Sequence, residues 1–155
     1  MPSKQRPFAL DTVDRSILAE LQFDGRVSLA ELGRRVGLSP AAVGDRVRRL
    51  EDARVITGYR ATIDPRALGY ALTAVIRVRP APRQLPQVAG LAQSTPEVVE
   101  CHRITGEDCF VLTAHVRDVQ HLEEVIDGFA LHGQTTTSVL QSSPVPLRAT
   151  SCAAP

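Results

Sequence analysis

Apolar positions in the first third of the chain recur on a helical period of about 3.6 residues, three times in succession. Val13, Ile17, Leu18 and Leu21 share one face, and Asp11 and Asp14 stand where the start of a helix would use them as caps. Gly25 is placed to end that helix. Leu29, Leu32 and Val36 mark a second helix. Ser28 and Glu31 before it are spaced as a capping box, and Val27 and Leu32 as a hydrophobic staple. Gly37 can take the left-handed conformation that closes a helix without steric cost. Ser39 then caps a third helix, with Pro40 at its first position, where no amide donor is needed. Leu38 and Val43 form a second staple, and Val43, Val47 and Leu50 a narrow inward stripe.

After Leu50 the pattern departs from ordinary helix-ending chemistry. A glycine is expected near position 54, and Arg54 stands there. A left-handed arginine would cost about 1 kcal/mol; the alternative is a different helix end. Residues 56–63 read as a strand bent at Gly58, and Asp64 and Pro65 open a short connector ending at Gly69. The domain boundary is expected between Asp64 and Tyr70, giving domains 1–64 and 65–155.

The second half changes period. Leu72, Ala74, Ile76 and Val78 alternate with Thr73, Val75, Arg77 and Arg79, as a half-buried strand does. Pro80 and Pro82 break it. Leu85, Val88 and Leu91 follow at helical spacing, with Pro86 early enough to be tolerated, and Thr95 and Pro96 end that helix. Residues 98–105 and 109–116 read as strands joined by a turn at Gly106 and Glu107. Asp118 caps a helix with Leu122, Val125, Ile126 and Phe129 inside, Gly133 ends it, and 135–140 is a last strand. The order strand, helix, strand, strand, helix, strand is the ferredoxin-like plan. The fold class is therefore α+β, a helical unit followed by a ferredoxin-like domain. One face of the sheet carries both helices, and a second copy of the chain is the simplest cover for the other. Residues 1–9 are expected to form a loose arm, and the tail 144–155 to be mobile at its end.

Composition narrows the function classes. The hydrophobic share of 43% supports a core. No apolar run reaches the roughly 18 residues needed to span a membrane, and the first residues lack the apolar stretch of a secretion signal. No membrane partner and a cytoplasmic location are the expectations. Net charge is only +1, so the chain is no general polycation, yet Arg34, Arg35, Arg46, Arg48, Arg49 and Arg54 crowd one short region. Three cysteines without metal spacing argue against a disulfide framework or zinc site. Pairing across the Gly106 turn puts Cys101 opposite Leu112 and Cys109 opposite Ile104, so the two do not meet. The four histidines form no metal pair; His121 and His132 read as helix-surface residues. No metal and no cofactor are expected.

Two capped helices around a glycine turn, the second bearing arginines, describe a DNA-binding helix-turn-helix. Its outer side carries Ala41, Asp45, Arg48 and Arg49, with Ala42 and Arg46 at the margins. Small residues near the helix start allow close approach to a groove, and arginines farther along can reach phosphate or guanine. Arg46 is open to an internal ion pair; Arg48 and Arg49 are the better candidates for phosphate. The competing reading is a plain helical hairpin with a solvated basic face. The candidate DNA contacts are Ser28, Ser39, Pro40, Ala41, Ala42, Asp45, Arg46, Arg48, Arg49 and Arg54.

In order and spacing, LDTVDRSILAELQFDGR, GLSPAAVGDRVRRLE, VITGYRATIDPRALGY, VVECHRITGEDCF and TTTSVL resemble the Lrp/AsnC family, the feast/famine transcription regulators. The likeness runs from about Leu10 to Leu147. It implies a winged helix-turn-helix, an amino-acid-sensing domain, and dimers through the C-terminal sheets that assemble further into tetramers or octamers. It also implies a small-molecule effector, often an amino acid, near the hairpin turn. Gly106, Glu107 and Asp108 would form the loop, and Thr135 and Thr137 would add hydroxyls. Many relatives carry an acid three positions after the glycine; here that residue is Cys109, and the acid stands at Asp108. The expected function is sequence-specific regulation of transcription on double-stranded DNA, controlled by an amino acid through assembly. The rivals are an effector-independent architectural DNA-binding protein and, ranked lower because no catalytic pair is visible, a tetrapyrrole-decarboxylase-like enzyme on the same fold.

Overall fold

The computed structural model describes residues 8–153; the expected arm falls mostly on residues 1–7, outside them. The chain forms two compact units. One holds residues 1–61 together with 145–155, the other residues 62–144. The tail, expected to go with the second domain, belongs instead to the first unit, where α1 binds it.

In the first unit, α1 (Thr12–Phe23), α2 (Leu29–Val36) and α3 (Pro40–Asp52) enclose one small core. Ile17, Leu32, Val43, Val47 and Leu50 fill it, and Val27, Leu38 and Val55 pack around them. Burying such side chains stabilises by about 1.5–3 kcal/mol each. A full capping box starts α1, with Asp11 and Asp14 each accepting from the other's backbone N–H. That helix is capped at its end by Asp24, one residue before the expected Gly25. Gly37, at φ 73°, closes α2 as its composition predicts.

At the end of α3 the arginine is left-handed, with φ 56° at Arg54. The terminal bonds are nonetheless complete. Arg54 N–H donates to the Glu51 carbonyl at 2.9 Å and Val55 N–H to the Leu50 carbonyl at 2.9 Å. These are the two bonds of a Schellman ending, with Val55 and Leu50 packed in one core. The strand expected over 56–63 is not formed; the segment is irregular and joins no ladder. A strand needs a bonded neighbour, and this one finds none within the single chain.

The second unit follows the βαββαβ plan. Its elements are β1 (Leu72–Pro80), α4 (Leu85–Ser94), β2 (Val98–Arg103), β3 (Phe110–Val116), α5 (Val119–Ala130) and β4 (Gly133–Val139), after a 3-10 turn at Pro65–Leu68. The antiparallel sheet has the order β2-β3-β1-β4. Ala74, Ile76, Val78, Phe110, Leu112 and Ala114 meet Val88, Leu122, Val125 and Phe129 in the core. Cys101 lies opposite Leu112, as the turn geometry requires. Gly133 does not end α5, which stops at Ala130; it opens β4. A Cβ there would sit 2.2 Å from the Arg79 carbonyl oxygen, so only glycine lets β4 start against β1.

Candidate functional site

The α3 helix is fixed from behind by one carboxylate. Asp14 on α1 is fully buried, and it accepts from Arg46 Nη1 at 2.8 Å and Arg49 Nη2 at 2.9 Å. Arg46 also donates to Asp11 at 2.6 Å. That bond, with the Asp14 backbone N–H, holds the Asp11 carboxyl below the ordinary carboxylate range. Arg49 further lies 5.5 Å over the Phe8 ring. Arg49, a candidate for phosphate, is thus paired with Asp14 as Arg46 is, although its side chain stays about half exposed. Pulling either away would leave a buried charge short of partners.

The arginines of α2 are also engaged. Arg34 and Arg35 both donate to Glu31, and Arg35 reaches Glu20 at 2.8 Å. These two guanidinium groups bring the Glu31 carboxyl down to about 2. They also take Glu31 from the capping box: Ser28 Oγ accepts from Glu31 N–H at 3.2 Å, but the reciprocal bond is not made.

The start of α3 remains open. Ser39, Pro40 and Ala41 are exposed, and Ala42 is half-buried. Ser39 Oγ accepts from Ala42 N–H at 3.2 Å. Each capping hydroxyl, at Ser28 and Ser39, keeps its own proton to donate outward. Arg48 is 70% exposed and, among the described residues, pairs only with exposed Asp45, at 3.0 Å. A surface pair of that kind is worth roughly 0.2–1 kcal/mol and yields readily to a phosphate. Exposed Arg54 has no ion-pair partner among the described residues.

Gly33 was not singled out by its sequence, yet it sets the helix-turn-helix angle. A Cβ on Gly33 would lie 2.6 Å from the Leu38 carbonyl oxygen. The Gly33 carbonyl accepts from Leu38 N–H at 2.8 Å and from Gly37 N–H, so the turn folds back directly on this residue. A glycine four residues before the turn glycine was the available signal.

The hairpin loop gathers a different set from the one expected. Gly106 (φ 110°) turns the chain, Glu107 pairs with Arg79, and Asp108 lies 4.0 Å from Arg77. Both arginines stand on the face of β1 away from the helices. Thr136 lies opposite Arg77 in β4. Thr135 and Thr137 lie opposite Val78 and Ile76, on the helix-covered face. The register thus puts these two hydroxyls on the opposite face of the sheet from Arg77 and Arg79, and Thr136 on the same face as those arginines. Cys109 packs against the core. Arg77 and Arg79 could have been read from their alternation on a strand with one buried face.

Among the histidines, His121 is buried rather than on the helix surface. It contacts Glu97 Oε1 through Nε2 at 3.0 Å and accepts from Arg117 N–H through Nδ1 at 3.3 Å. No cluster among the described residues has the make-up of a metal site, and no described helix is long and apolar enough to cross a membrane.

Known proteins match both units. Residues 10–51 match the AsnC-type helix-turn-helix domain, and residues 73–150 the Lrp/AsnC ligand binding domain. The HTH-type transcriptional regulator YezC of Bacillus subtilis is 42% identical over 134 residues, 86% of this chain and 95% of that one. The leucine-responsive regulatory protein of Escherichia coli K12 is 40% identical over 128 residues, 80% of this chain and 78% of that one. A feast or famine regulatory protein of M. tuberculosis, complexed with L-methionine, superposes with a TM-score of 0.86 at 34% identity, covering 92% of this chain and 99% of its own. With a helix-turn-helix unit ahead of a ferredoxin-like sheet, and both matched in order, the chain belongs to the Lrp/AsnC family of transcriptional regulators.

Proposed function

We propose that the protein regulates transcription by binding double-stranded DNA through α3 and by responding to an amino acid held at the hairpin loop. The observation that carries the reading is the asymmetry of α3: Arg46 and Arg49 are paired with buried Asp14 while its small-residue start and Arg48 face outward. A helix so anchored enters the major groove without first losing side-chain freedom. Pro40, Ala41 and Ala42 allow close approach, Ser28 and Ser39 donate to phosphate, Asp45 accepts from a base amine, and Arg48 contacts phosphate. Arg46 and Arg49 act as anchors, and Arg54 lies at the rim. Arg48→Ala should weaken binding to all duplexes alike and reduce the salt slope by about 1. An unchanged slope rejects the phosphate role.

For the effector, the loop offers both halves of a zwitterion's complement. An ammonium group can pair with Glu107 or Asp108, and a carboxylate with Arg77 or Arg79. Gly106 provides the turn, Thr136 a hydroxyl on the same face, and Cys109 a wall; Thr135 and Thr137 support the strand from the other face. Leucine and L-methionine, named for the two relatives above, set the class as an uncharged α-amino acid. The activity is binding rather than catalysis, and its place is with the DNA, in the cytoplasm. The chain acts as a homodimer, the open sheet face covered by a second copy, with tetramers or octamers built from dimers. Two reading helices then meet successive major grooves about 34 Å apart.

A further inference from the structure

The chain leaves the first unit after Ala61 and returns to it at Val145. The returning segment is bound by α1 through its backbone. Gln22 grips Thr150 on both sides: Nε2 donates to the Thr150 carbonyl at 2.9 Å, and Oε1 accepts from Thr150 N–H at 2.9 Å. Gln22 Nε2 also meets Cys152 Sγ at 2.7 Å. Arg15 Nη1 donates to the carbonyls of Cys152 and Ala153, at 3.2 and 3.3 Å. Arg15 and Gln22 stand two turns apart on one helix face, a rise of about 10.5 Å. Between them they hold the backbone from Thr150 to Ala153 at more than one point.

We propose that residues 145–153 are a strap that, docked on α1 by the hydrogen bonds of Gln22 and Arg15, gives the DNA-binding unit a second, noncovalent tether beside the covalent linker after α3. The strap follows β4, the strand that carries Thr136, after residues 140–144. It thereby confines each reading helix before DNA arrives. Confinement raises the effective concentration of the second helix once the first is engaged. It does nothing for a single half-site. This role rests on the DNA-binding reading above.

The test uses the full chain, a version ending at Pro144, and Gln22→Ala, which keeps the tail and improves helix propensity. A duplex selected by the wild-type protein from a random pool, and the same duplex cut to one half-site, serve as probes. Hydrogen exchange should show the Thr150 amide protected in the wild type and unprotected in Gln22→Ala. Both variants should lose roughly tenfold in affinity for the full duplex and bind the half-site as the wild type does. A freely exchanging Thr150 amide in the wild type, or full-duplex affinity unchanged in both variants, overturns the strap. Equal losses on both probes also overturn it, because they indicate damage to the reading unit. If the wild type selects no duplex at all, the DNA-binding reading fails first and takes the strap's role with it.

Discussion

Single residues set how α3 is held and at what cost. Asp14 is a buried acid whose charge is matched by two guanidinium groups and a neighbouring N–H, so burial and pairing are inseparable there. Arg54 has the opposite character. A left-handed arginine costs roughly 1–2 kcal/mol over a relaxed backbone, while the greater unfolded-chain entropy of glycine in its place offsets about half of that. Arg54→Gly should therefore raise stability by about 0.5–1 kcal/mol, seen as a thermal midpoint a few degrees higher; a lower midpoint would show that the side chain stabilises the fold. Glu31 gives a pH dependence of defined sign. Its folded pKa of about 2 lies below the ordinary 4.5, so the unfolded chain binds the proton more tightly. The stability it contributes is fully present above about pH 5 and is lost as pH falls from 4.5 toward 2. Acid unfolding of the first unit, followed by circular dichroism, should be less steep in Glu31→Gln over that window, and added salt should shrink the difference.

Elements are defined here as much by close approach as by propensity. The turn between α2 and α3 lies against Gly33 with no room for a methyl group. Gly33→Ala should cost roughly 2–3 kcal/mol, because the obstacle is backbone rather than a flexible side chain. Chemical denaturation would register this as a lower midpoint, and DNA binding should fall along with it as α3 is displaced. Helix caps, staples and inward stripes were legible in residue order, since each is a local rule acting within a turn or two. The strand expected over 56–63 was not, because a strand is completed only by its neighbour. Gly133 departs from its local pattern for a related reason. Glycine often ends a helix, but here it serves the meeting of β4 with Arg79, 54 positions earlier in the chain.

The whole molecule combines a helix-turn-helix unit with a sheet that carries its helices on one face and leaves the other open. That face carries Val75 and Val111, both half-buried, among Thr73, Arg77, Thr113 and Thr136. If a second copy covers it, Val111→Glu should place like charges across the interface and shift sedimentation from dimer toward monomer. Sedimentation unchanged by this substitution would put the interface elsewhere. The candidate effector loop lies at the rim of the same face, so assembly and ligand can bias each other there.

Residue order alone left the helix end at Arg54 open between two forms, but it determined the three capped helices, the strand and helix alternation of the second unit and the separation of Cys101 from Cys109. Each follows from short-range periodicity or from pairing across one turn. Only the folded chain decided that Arg49 pairs with Asp14, that Thr136 and not its neighbours shares a face with Arg77, and that the tail docks on α1. Those outcomes depend on which distant residue arrives at a given place. Long side chains pair with whatever charge the packing brings near, and a local pattern cannot name that partner.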